Sequence, residues 1–269
     1  MPRKIEDIED IIAKKLPKPK YKRIKDSRLF EVVEEVFDYP TLMALYDLIN
    51  KGIIETIYGV VASGKEARIY WAEDPEGNDL AVKIFLVSTA EFRRGRLKYI
   101  EGDPRFKRVG RKIRDIVRAW CSKEFRNLKR AYEVGVRVPR PIAFKDNVLV
   151  MEFISGGERG VPAPAIKDYP PEDPEEAYLT IRRYIETLYL EGDLVHADLS
   201  EYNILNTGSE LVIIDWGSAV HVRHPHAEEF LRHDIYTVFR YFDRLGVETD
   251  DPEEFFKTLL RKKLDISRA

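Results

Sequence analysis

The strongest constraint on the fold is a change in hydrophobic spacing at Ile53. Before it, residues 40–50 place apolar side chains three and four apart, with Pro40 as a start signal and Gly52 as a stop, which predicts a helix. Residues 26–37 carry the same helical pattern. After it come short β-rich runs separated by turn residues, at 53–61, 67–73 and 80–87. A helical prefix followed by three antiparallel strands is therefore expected.

The middle of the chain adds a basic loop, one helix and two more strands. Residues 86–115 have no clean periodicity and are interrupted by glycines and a proline, so we expect a flexible basic loop. Residues 117–133 have helical spacing. Strand-like runs follow at 141–144 and 148–154, and the Gly- and Pro-rich residues 154–166 mark a boundary.

Beyond this boundary the pattern is mainly helical. Amphipathic helices are predicted at 174–191, at about 226–245 and at 252–264, with one strand at 210–217. Five strands with one helix, followed by a mainly helical part, predict an α+β, bilobal protein-kinase-like fold. The expected organisation is a helical extension, an N-lobe that contains the basic loop, and a C-lobe, at 1–50, 51–154 and 155–269.

Cysteine content and hydropathy bound the setting. Cys121 is the single cysteine of the 269 residues, so neither an intramolecular disulfide nor a cysteine-based metal site can form. No stretch approaches the roughly 20 apolar residues that a membrane-spanning helix needs. The expected setting is cytoplasmic, with no membrane partner.

Charge is strongly segregated along the chain. Residues 1–30 carry ten Lys and Arg against five Asp and Glu, and residues 84–130 carry fifteen against five. These segments have charges of +5 and +10 in a chain of −2, so the remainder carries −17. Such an arrangement favours a polyanion such as nucleic acid. The alternative is a solvated helix face and loop.

The first chemical motif is a glycine-rich stretch from Gly59 to Glu66. Its spacing matches a Walker A loop until Glu66 stands where a hydroxyl is needed, and a strand-like run follows where a Walker A requires a helix. We interpret it as a turn between two strands that lies over phosphates, with Ser63 and Lys65 as nucleotide-binding candidates. A plain hairpin is the alternative.

The second motif is Lys83, a lysine near the end of an apolar strand. Protein-kinase-like folds place such a lysine on strand three, where it contacts the α- and β-phosphates and pairs with a glutamate of the next helix. Glu124 is the best-placed partner. The alternative is a lysine whose ammonium extends to the sheet edge.

The third motif, HADLSEYN followed by IDWG, is the most informative. In H-x-D-x-x-x-x-N the aspartate, here Asp198, accepts the proton of the attacking hydroxyl, and the asparagine, here Asn203, binds Mg²⁺. Asp215 ends an apolar run, where its carboxylate can bridge metals on a triphosphate. His196 is expected to brace this loop. The four later histidines are expected to lie in a turn and a capped helix without forming a metal site.

Together these segments resemble the RIO atypical protein kinases over almost the whole chain. SGKEARIY at 63–70 is similar to the family's phosphate loop, HADLSEYN at 196–203 to its catalytic loop and IID at 213–215 to its metal-binding loop. KYIEGDPRF at 98–106 resembles the flexible loop of the first RIO subfamily. The 50-residue prefix is too short for the winged helix of the second subfamily, so the resemblance points to an archaeal-type member of the first.

The resemblance implies an ATP- and Mg²⁺-dependent (or Mn²⁺-dependent) serine/threonine kinase or ATPase. It assigns Lys83 to the ATP phosphates, Asp198 as catalytic base, and Asn203 and Asp215 to the metal. Glu152 and Ile154 would meet the adenine through backbone groups. Asp215 is also the candidate nucleophile for an aspartyl-phosphate intermediate. Family members act in late maturation of the small ribosomal subunit, so its precursor and rRNA are the expected partners.

The chain departs from ordinary protein kinases at two points. Trp216 replaces phenylalanine after the metal-binding aspartate, and no A-P-E sequence follows, so a reduced activation and peptide-docking region is expected.

One rival interpretation of the function is a small-molecule kinase of the aminoglycoside or choline phosphotransferase type, which shares H-x-D-x4-N. The other is an assembly factor that uses ATP as a conformational clamp, with incidental phosphotransfer.

Overall fold

A computed structural model describes residues 38–87, 99, 102–105, 110 and 112–268. The predicted helix at 26–37 and most of the predicted loop at 86–115 lie outside these residues. The described chain forms two compact units. Of the described residues, the first unit takes those up to 87, those at 110 and 112–122, and those from 142 to 153. The second unit takes those at 99 and 102–105, those from 123 to 141 and those from 154 to 268.

The first unit contains a five-stranded sheet in the order β1-β2-β3-β5-β4. Pairing is antiparallel between β1 and β2, β2 and β3, and β3 and β5. The five predicted strands are confirmed, except that the first begins three residues later than expected. The strands are β1 (Thr56–Ser63), β2 (Ala67–Glu73), β3 (Asp79–Phe85), β4 (Pro141–Lys145) and β5 (Val148–Glu152).

Helix α1 (Tyr39–Asn50) confirms the second predicted helix. Asp38 caps its N-terminus by accepting from the Thr41 N–H at 3.1 Å. Gly52 closes its C-terminus with a φ of 68°, and the Ile53 N–H donates to the Leu48 carbonyl at 3.0 Å. Because residues 51–53 are used in this closure, the following strand begins only at Thr56.

The apolar face of α1 covers one side of the sheet. Leu45 is fully buried there, among residues of four strands and of the segment that precedes β1. Burial of each such leucine stabilises the fold by about 1.5–3 kcal/mol. The buried core of the first unit consists of Ala44, Leu45, Leu48, Ile54, Ile57, Tyr70, Ala72, Leu80, Val82, Ile84, Val148 and Val150.

Buried Asn147, in the turn between β4 and β5, connects α1 to the sheet. Its Nδ2 donates to Thr41 Oγ1 at 2.9 Å and to the Phe85 carbonyl at 2.8 Å. The Phe85 N–H donates back to the Asn147 carbonyl at 2.9 Å. Asn147 therefore satisfies polar groups of α1 and of β3 and joins both to the turn between β4 and β5.

Helix α2 (Ile113–Glu133) begins four residues before the predicted start at 117. Its first two turns are held by ion pairs that periodicity does not reveal: Arg114 pairs with Asp38, and Arg118 Nε donates to Asp146 Oδ1 at 2.7 Å. The last residues of the predicted loop are thus helical. The change of unit along this helix falls between residues 122 and 123.

The second unit is built mainly from helices, together with two short hairpin-like sheets. The predicted helices are confirmed, and the last is four residues longer than expected. The strand predicted at 210–217 spans three residues only. The elements are α3 (Pro174–Leu190), β6 (Leu194–Val195), β7 (Ile204–Asn206), β8 (Leu211–Ile213), β9 (Val220–His221), α4 (Ala227–Arg244) and α5 (Pro252–Arg268), with β6 paired to β9 and β7 to β8. Over the described residues, every helix is too short or too polar to span a bilayer.

Candidate active site

The segment between β6 and β7 holds the predicted base, Asp198, at the surface of the second unit. Ala197 and Leu199 on either side are buried, whereas Asp198 is exposed. Both flanking backbone N–H groups donate to one buried carboxylate, Asp234 of α4, at 2.8 Å from Ala197 and 2.9 Å from Leu199. Ala197 has a left-handed backbone with a φ of 66°. The two bonds to Asp234 fix that conformation and turn Asp198 outward.

Asp234 was not predicted from the sequence. It is 2% exposed, and burial raises the pKa of its carboxyl, while the two N–H donors lower that pKa and stabilise the carboxylate. The sequence feature that could have revealed Asp234 is its place on the apolar face of a helix. It lies there beside Leu231, Ile235 and Val238, which are all buried. Such a residue has to find buried donors.

Asn203 links the other two predicted residues through its own backbone and amide. Its Nδ2 donates to the Asp198 carbonyl at 2.8 Å, and its carbonyl accepts from the Ile214 N–H at 2.9 Å. With Nδ2 engaged, the Oδ1 atom is the one suited to a cation. The pairing of β7 with β8 continues this link, with Ile204 opposite Ile213. The structure thus brings Asp198, Asn203 and Asp215 into one local arrangement.

Asp215 lies two residues beyond β8, not at the end of a long strand as expected. It is exposed and has a left-handed backbone with a φ of 63°. Trp216 turns inward: its ring is 1% exposed, and Nε1 donates to the Ile213 carbonyl at 3.0 Å. The strand is short because the chain turns here to bury the indole and expose the carboxylate.

Eleven residues separate Asp215 from the start of α4 at Ala227. Two of them form β9, which pairs with β6 directly before the catalytic segment. This short connection agrees with the expected reduction of the activation and peptide-docking region.

His196 braces the base of the site. It is 2% exposed, its Nε2 donates to the Ile214 carbonyl at 3.0 Å, and its ring meets Trp216 edge-on at 4.9 Å. Burial lowers the pKa of His196 to about 4, so the ring is neutral at pH 7. Within the described part of the chain, Nδ1 has no hydrogen-bond partner. This geometry supports a bracing role over acid–base chemistry.

The later histidines stabilise backbone turns. His221 Nδ1 accepts from the Arg223 N–H at 3.1 Å, and His224 Nδ1 accepts from the His226 N–H at 3.2 Å. His233 lies exposed on α4. Over the residues that the structure describes, no three His, Cys, Asp or Glu side chains are grouped as a metal site.

In the first unit, the predicted turn between two strands is confirmed at residues 64–66, so a Walker A loop is excluded. Ser63 ends β1, and Lys65 lies exposed in the turn. The Gly64 N–H donates to the Ala67 carbonyl at 2.9 Å, so this N–H is used within the turn. Ser63 and Lys65 remain predicted nucleotide-binding residues.

Lys83 lies in β3, opposite Ile69 of β2 and Leu149 of β5. Its Nζ is 5.2 Å from the centre of the Phe85 ring. Glu124, its predicted partner, is 2% exposed on the part of α2 that belongs to the second unit. Their pairing stays a prediction.

The two residues predicted to meet adenine lie at the end of β5 and just beyond it. Glu152 ends β5. The carbonyl of Ile154 already accepts from the Ala163 N–H at 2.9 Å. For Ile154 we therefore expect the N–H, rather than the carbonyl, to meet the base.

Several basic residues of the predicted polyanion-binding segment 84–130 are engaged inside the fold. Arg105 pairs with Asp103, Arg114 with Asp38, and Arg118 with Asp146. Lys123 is fully buried, and Arg130 donates to the Gly192 carbonyl at 3.1 Å. The positive charge available to an external polyanion is therefore smaller than the fifteen Lys and Arg residues of this segment suggest.

Comparison with known proteins identifies the family. The sequence profile of the RIO domain matches residues 68–255, which is more than half of the chain. The chain belongs to the RIO family. The RIO-type serine/threonine-protein kinase Rio1 of Haloferax volcanii is 45% identical over 85% of this chain and 77% of its own length. The Rio1 kinase of Methanocaldococcus jannaschii is 40% identical over 87% and 79%. These relatives confirm the resemblance to the first RIO subfamily and place the chain among phosphotransferases.

Relatives outside the archaea are longer. Human serine/threonine-protein kinase RIO1 is 39% identical over 87% of this chain, which spans 42% of that protein. Because the chain belongs to the RIO family, its H-x-D-x4-N motif does not place it in the rival family of small-molecule kinases.

Solved structures confirm the protein-kinase-like fold. The Rio2 kinase of Chaetomium thermophilum matches with a TM-score of 0.65 at 24% identity, over 84% of this chain and 69% of that one. Its ADP/Mg²⁺-phosphoaspartate complex matches with a TM-score of 0.62 at 24% identity, over 83% and 66%.

Proposed function

We propose that this RIO chain transfers the γ-phosphoryl group of ATP in the presence of Mg²⁺, as a serine/threonine kinase, an ATPase or both. The observation that carries the proposal is the bonding of Asn203 to the backbones of both Asp198 and Ile214, the residue before Asp215. One short segment thereby holds an exposed carboxylate, a carboxamide oxygen and a second exposed carboxylate in fixed order.

Each of these groups has a distinct role in the proposal. The Asp198 carboxylate orients the attacking hydroxyl and accepts its proton. Asn203 Oδ1 and the Asp215 carboxylate would hold Mg²⁺, because oxygen donors of these two types suit that ion. When bound, Mg²⁺ supplies positive charge that neutralises the triphosphate oxygens. Mn²⁺ takes the same donors.

Binding of ATP is assigned to residues named from the RIO resemblance. Lys83 contacts the α- and β-phosphates, with Glu124 as its partner, and Ser63 and Lys65 contact the phosphates. Glu152 and Ile154 meet the adenine. The Rio2 structure with ADP and Mg²⁺ supports this nucleotide and metal for the family.

A covalent intermediate on Asp215 is part of the proposal. An Asp215 carboxylate oxygen attacks the γ-phosphorus, the bond to the ADP oxygen breaks, and ADP leaves. Water then attacks the aspartyl phosphate and releases inorganic phosphate, which completes an ATPase cycle. The phosphoaspartate in the Rio2 complex supports this route.

The deciding experiment follows γ-³²P from labelled ATP into three products. These are free phosphate, hydroxylamine-labile aspartyl phosphate and stable phosphoserine or phosphothreonine. Wild-type protein should label at least one product in a Mg²⁺-dependent way, and Asp198→Ala should lower turnover by about 10²- to 10⁴-fold. Equal labelling in the variant would overturn the assignment of the base.

The proposed setting is late maturation of the small ribosomal subunit in the cytoplasm. It rests on RIO membership and on the basic segments, and the same labelling is repeated with purified small-subunit precursors. Stimulated phosphate release would favour an assembly ATPase. Particle binding that requires ATP but not turnover would favour the alternative, an assembly factor clamped by ATP.

A further inference from the structure

A buried polar pair on α2 is not used by the proposed chemistry. Lys123 and Asn127 lie one helical turn apart, and both are fully buried. Lys123 Nζ donates to the Gly217 carbonyl at 2.8 Å and also to the Ala219 carbonyl. Asn127 Nδ2 donates to the Trp216 carbonyl at 2.9 Å and to the Ala219 carbonyl at 2.8 Å. All of these acceptors belong to the four residues that follow Asp215.

A buried ammonium is a costly way to fill the interior. Desolvation of a charge costs several kcal/mol, and well-packed apolar residues stabilise such positions as well or better. The segment 216–219 is buried and lies outside any strand. A turn bond from the Ala219 N–H reaches the Trp216 carbonyl at 3.3 Å, and the other carbonyls need donors from elsewhere. Lys123 and Asn127 supply these donors and fix the segment in one conformation.

That conformation matters because Asp215 has a left-handed backbone. Non-glycine residues in this region cost about 1–3 kcal/mol, and they persist only where their surroundings hold them. On the N-terminal side, the Ile214 backbone is held by His196 and Asn203. On the C-terminal side, the holding contacts are those of Lys123 and Asn127.

Arg105 sets the orientation of the Asn127 amide. Its Nη1 donates to Asn127 Oδ1 at 2.8 Å, which directs Nδ2 toward the carbonyls. Arg105 is itself held by Asp103, with Nε to Oδ1 at 2.9 Å and Nη2 to Oδ2 at 2.7 Å. Burial alone would raise the pKa of Asp103, but Arg105 and the charge of Lys123 hold it below its usual value. Asp103 therefore stays ionised and keeps Arg105 in place.

We propose that Lys123 and Asn127 are positioning residues that fix the Asp215 carboxylate for the metal, with Arg105 orienting Asn127. The inference rests on the proposed function, since it takes Asp215 as a metal ligand. On this inference, residues 102–105 of the predicted basic loop support the metal site indirectly, without contacting metal or substrate. Loss of the hydrogen bond from Arg105 to Asn127 would therefore weaken metal binding.

The test measures binding of Mn²⁺ to the full chain in the presence of ADP, by loss of the free-ion EPR signal. Binding of ADP without metal is measured separately by calorimetry. Asn127→Asp keeps the acceptor for Arg105 and removes both donated bonds, and Lys123→Met keeps the apolar stem. We expect each to weaken Mn²⁺ affinity by about 10- to 100-fold, as loss of a residue that orients a ligand does. Metal-free ADP affinity should be unchanged.

A milder variant covers the case in which a buried substitution fails to fold. Arg105→Gln changes a side chain that is 23% exposed, and we expect a severalfold loss of Mn²⁺ affinity. Arg240→Gln, on an exposed position of α4, is the matched control and should leave that affinity unchanged.

The variant Asp215→Asn distinguishes failure of the proposed function from failure of the positioning inference. If wild-type protein and Asp215→Asn bind Mn²⁺ equally, Asp215 is not a ligand and the proposed function fails. If Asp215→Asn loses the metal while Asn127→Asp and Arg105→Gln keep wild-type affinity, only the positioning inference is overturned.

Discussion

Two non-glycine residues with left-handed backbones, Ala197 and Asp215, lie directly beside the chemistry of the second unit. Each is held by buried polar side chains from elsewhere in the sequence. Asp234 holds the first, and His196, Lys123 and Asn127 hold the neighbours of the second. Backbone strain is thus stored at Asp215 itself and at Ala197, the residue directly before Asp198.

His196 predicts a specific dependence of stability on pH. Its folded pKa of about 4 lies below the unfolded value of 6.5, so between these values only the unfolded chain binds the proton. Stability from this group is therefore present above pH 6.5 and is lost as the pH falls toward 4. The loss at pH 5 is about 2 kcal/mol.

Urea unfolding of wild-type protein and His196→Gln checks this expectation. Glutamine keeps a donor for the Ile214 carbonyl but does not titrate. The difference in unfolding free energy between the two proteins should shrink by about 2 kcal/mol between pH 7.5 and pH 5. A pH-independent difference would show that His196 does not titrate as assigned.

Asp234→Asn is expected to reduce turnover more than nucleotide binding. The amide offers one acceptor where two backbone N–H groups converge, so one of them loses its partner at a cost of about 1–3 kcal/mol. The segment around Asp198 then loses its fixed conformation. Steady-state kinetics should show a fall in kcat of at least about tenfold and little change in ADP affinity. An unchanged kcat would contradict the role assigned to Asp234.

At this scale, the sequence predicts the grouping of the candidate site residues and the bracing by His196, but not the supports that are distant in sequence. Asp198, Asn203 and Asp215 lie in short motifs. A purely structural role gives little reason for an aspartate or asparagine at those positions. Asp234 and Lys123 act on backbone groups 37 and 94 residues away in sequence. Local spacing carries no record of such partners. Lys123 was instead counted as part of a basic surface.

At the scale of elements, α1 is a structural part of the first unit. Leu45 is fully buried among strand residues, so Leu45→Ala should destabilise the protein by about 2–5 kcal/mol. Leu179→Ala is the matched control, because Leu179 is 60% exposed on α3 and its loss should cost under about 0.5 kcal/mol. Chemical denaturation measures both. Equal effects would mean that α1 does not contribute to the core.

Element boundaries followed the sequence where a cap or an apolar stripe defined them. Pro40 and Gly52 marked the ends of α1 within one or two residues. The start of α2 is not predicted, because ion pairs of Arg114 and Arg118 hold its first two turns. Strand β8 was overestimated because the apolar run continues into Trp216, which is buried by a turn and not by a sheet.

For the whole molecule, charge remains the link to the proposed ribosomal partner. Because Arg105, Arg114, Arg118 and Lys123 are engaged internally, we expect the N-terminal residues 1–30 to supply much of the phosphate contact. Binding to small-subunit particles should weaken steeply with salt, with a slope near −0.7 to −0.9 per phosphate neutralised. Removal of residues 1–30 should flatten that slope. An unchanged slope would locate the contact elsewhere.

The central claim is that the second unit's carboxylates and Asn203 carry out metal-dependent phosphoryl transfer from ATP. The most direct measurement is Mg²⁺-dependent turnover of ATP by wild-type protein, Asp215→Asn and the control Asp243→Asn, which alters an exposed carboxylate on α4. Asparagine tolerates the left-handed backbone of position 215, so the fold is retained. We predict a loss of about 10²- to 10³-fold in Asp215→Asn alone. Turnover close to wild type in that variant would contradict the account.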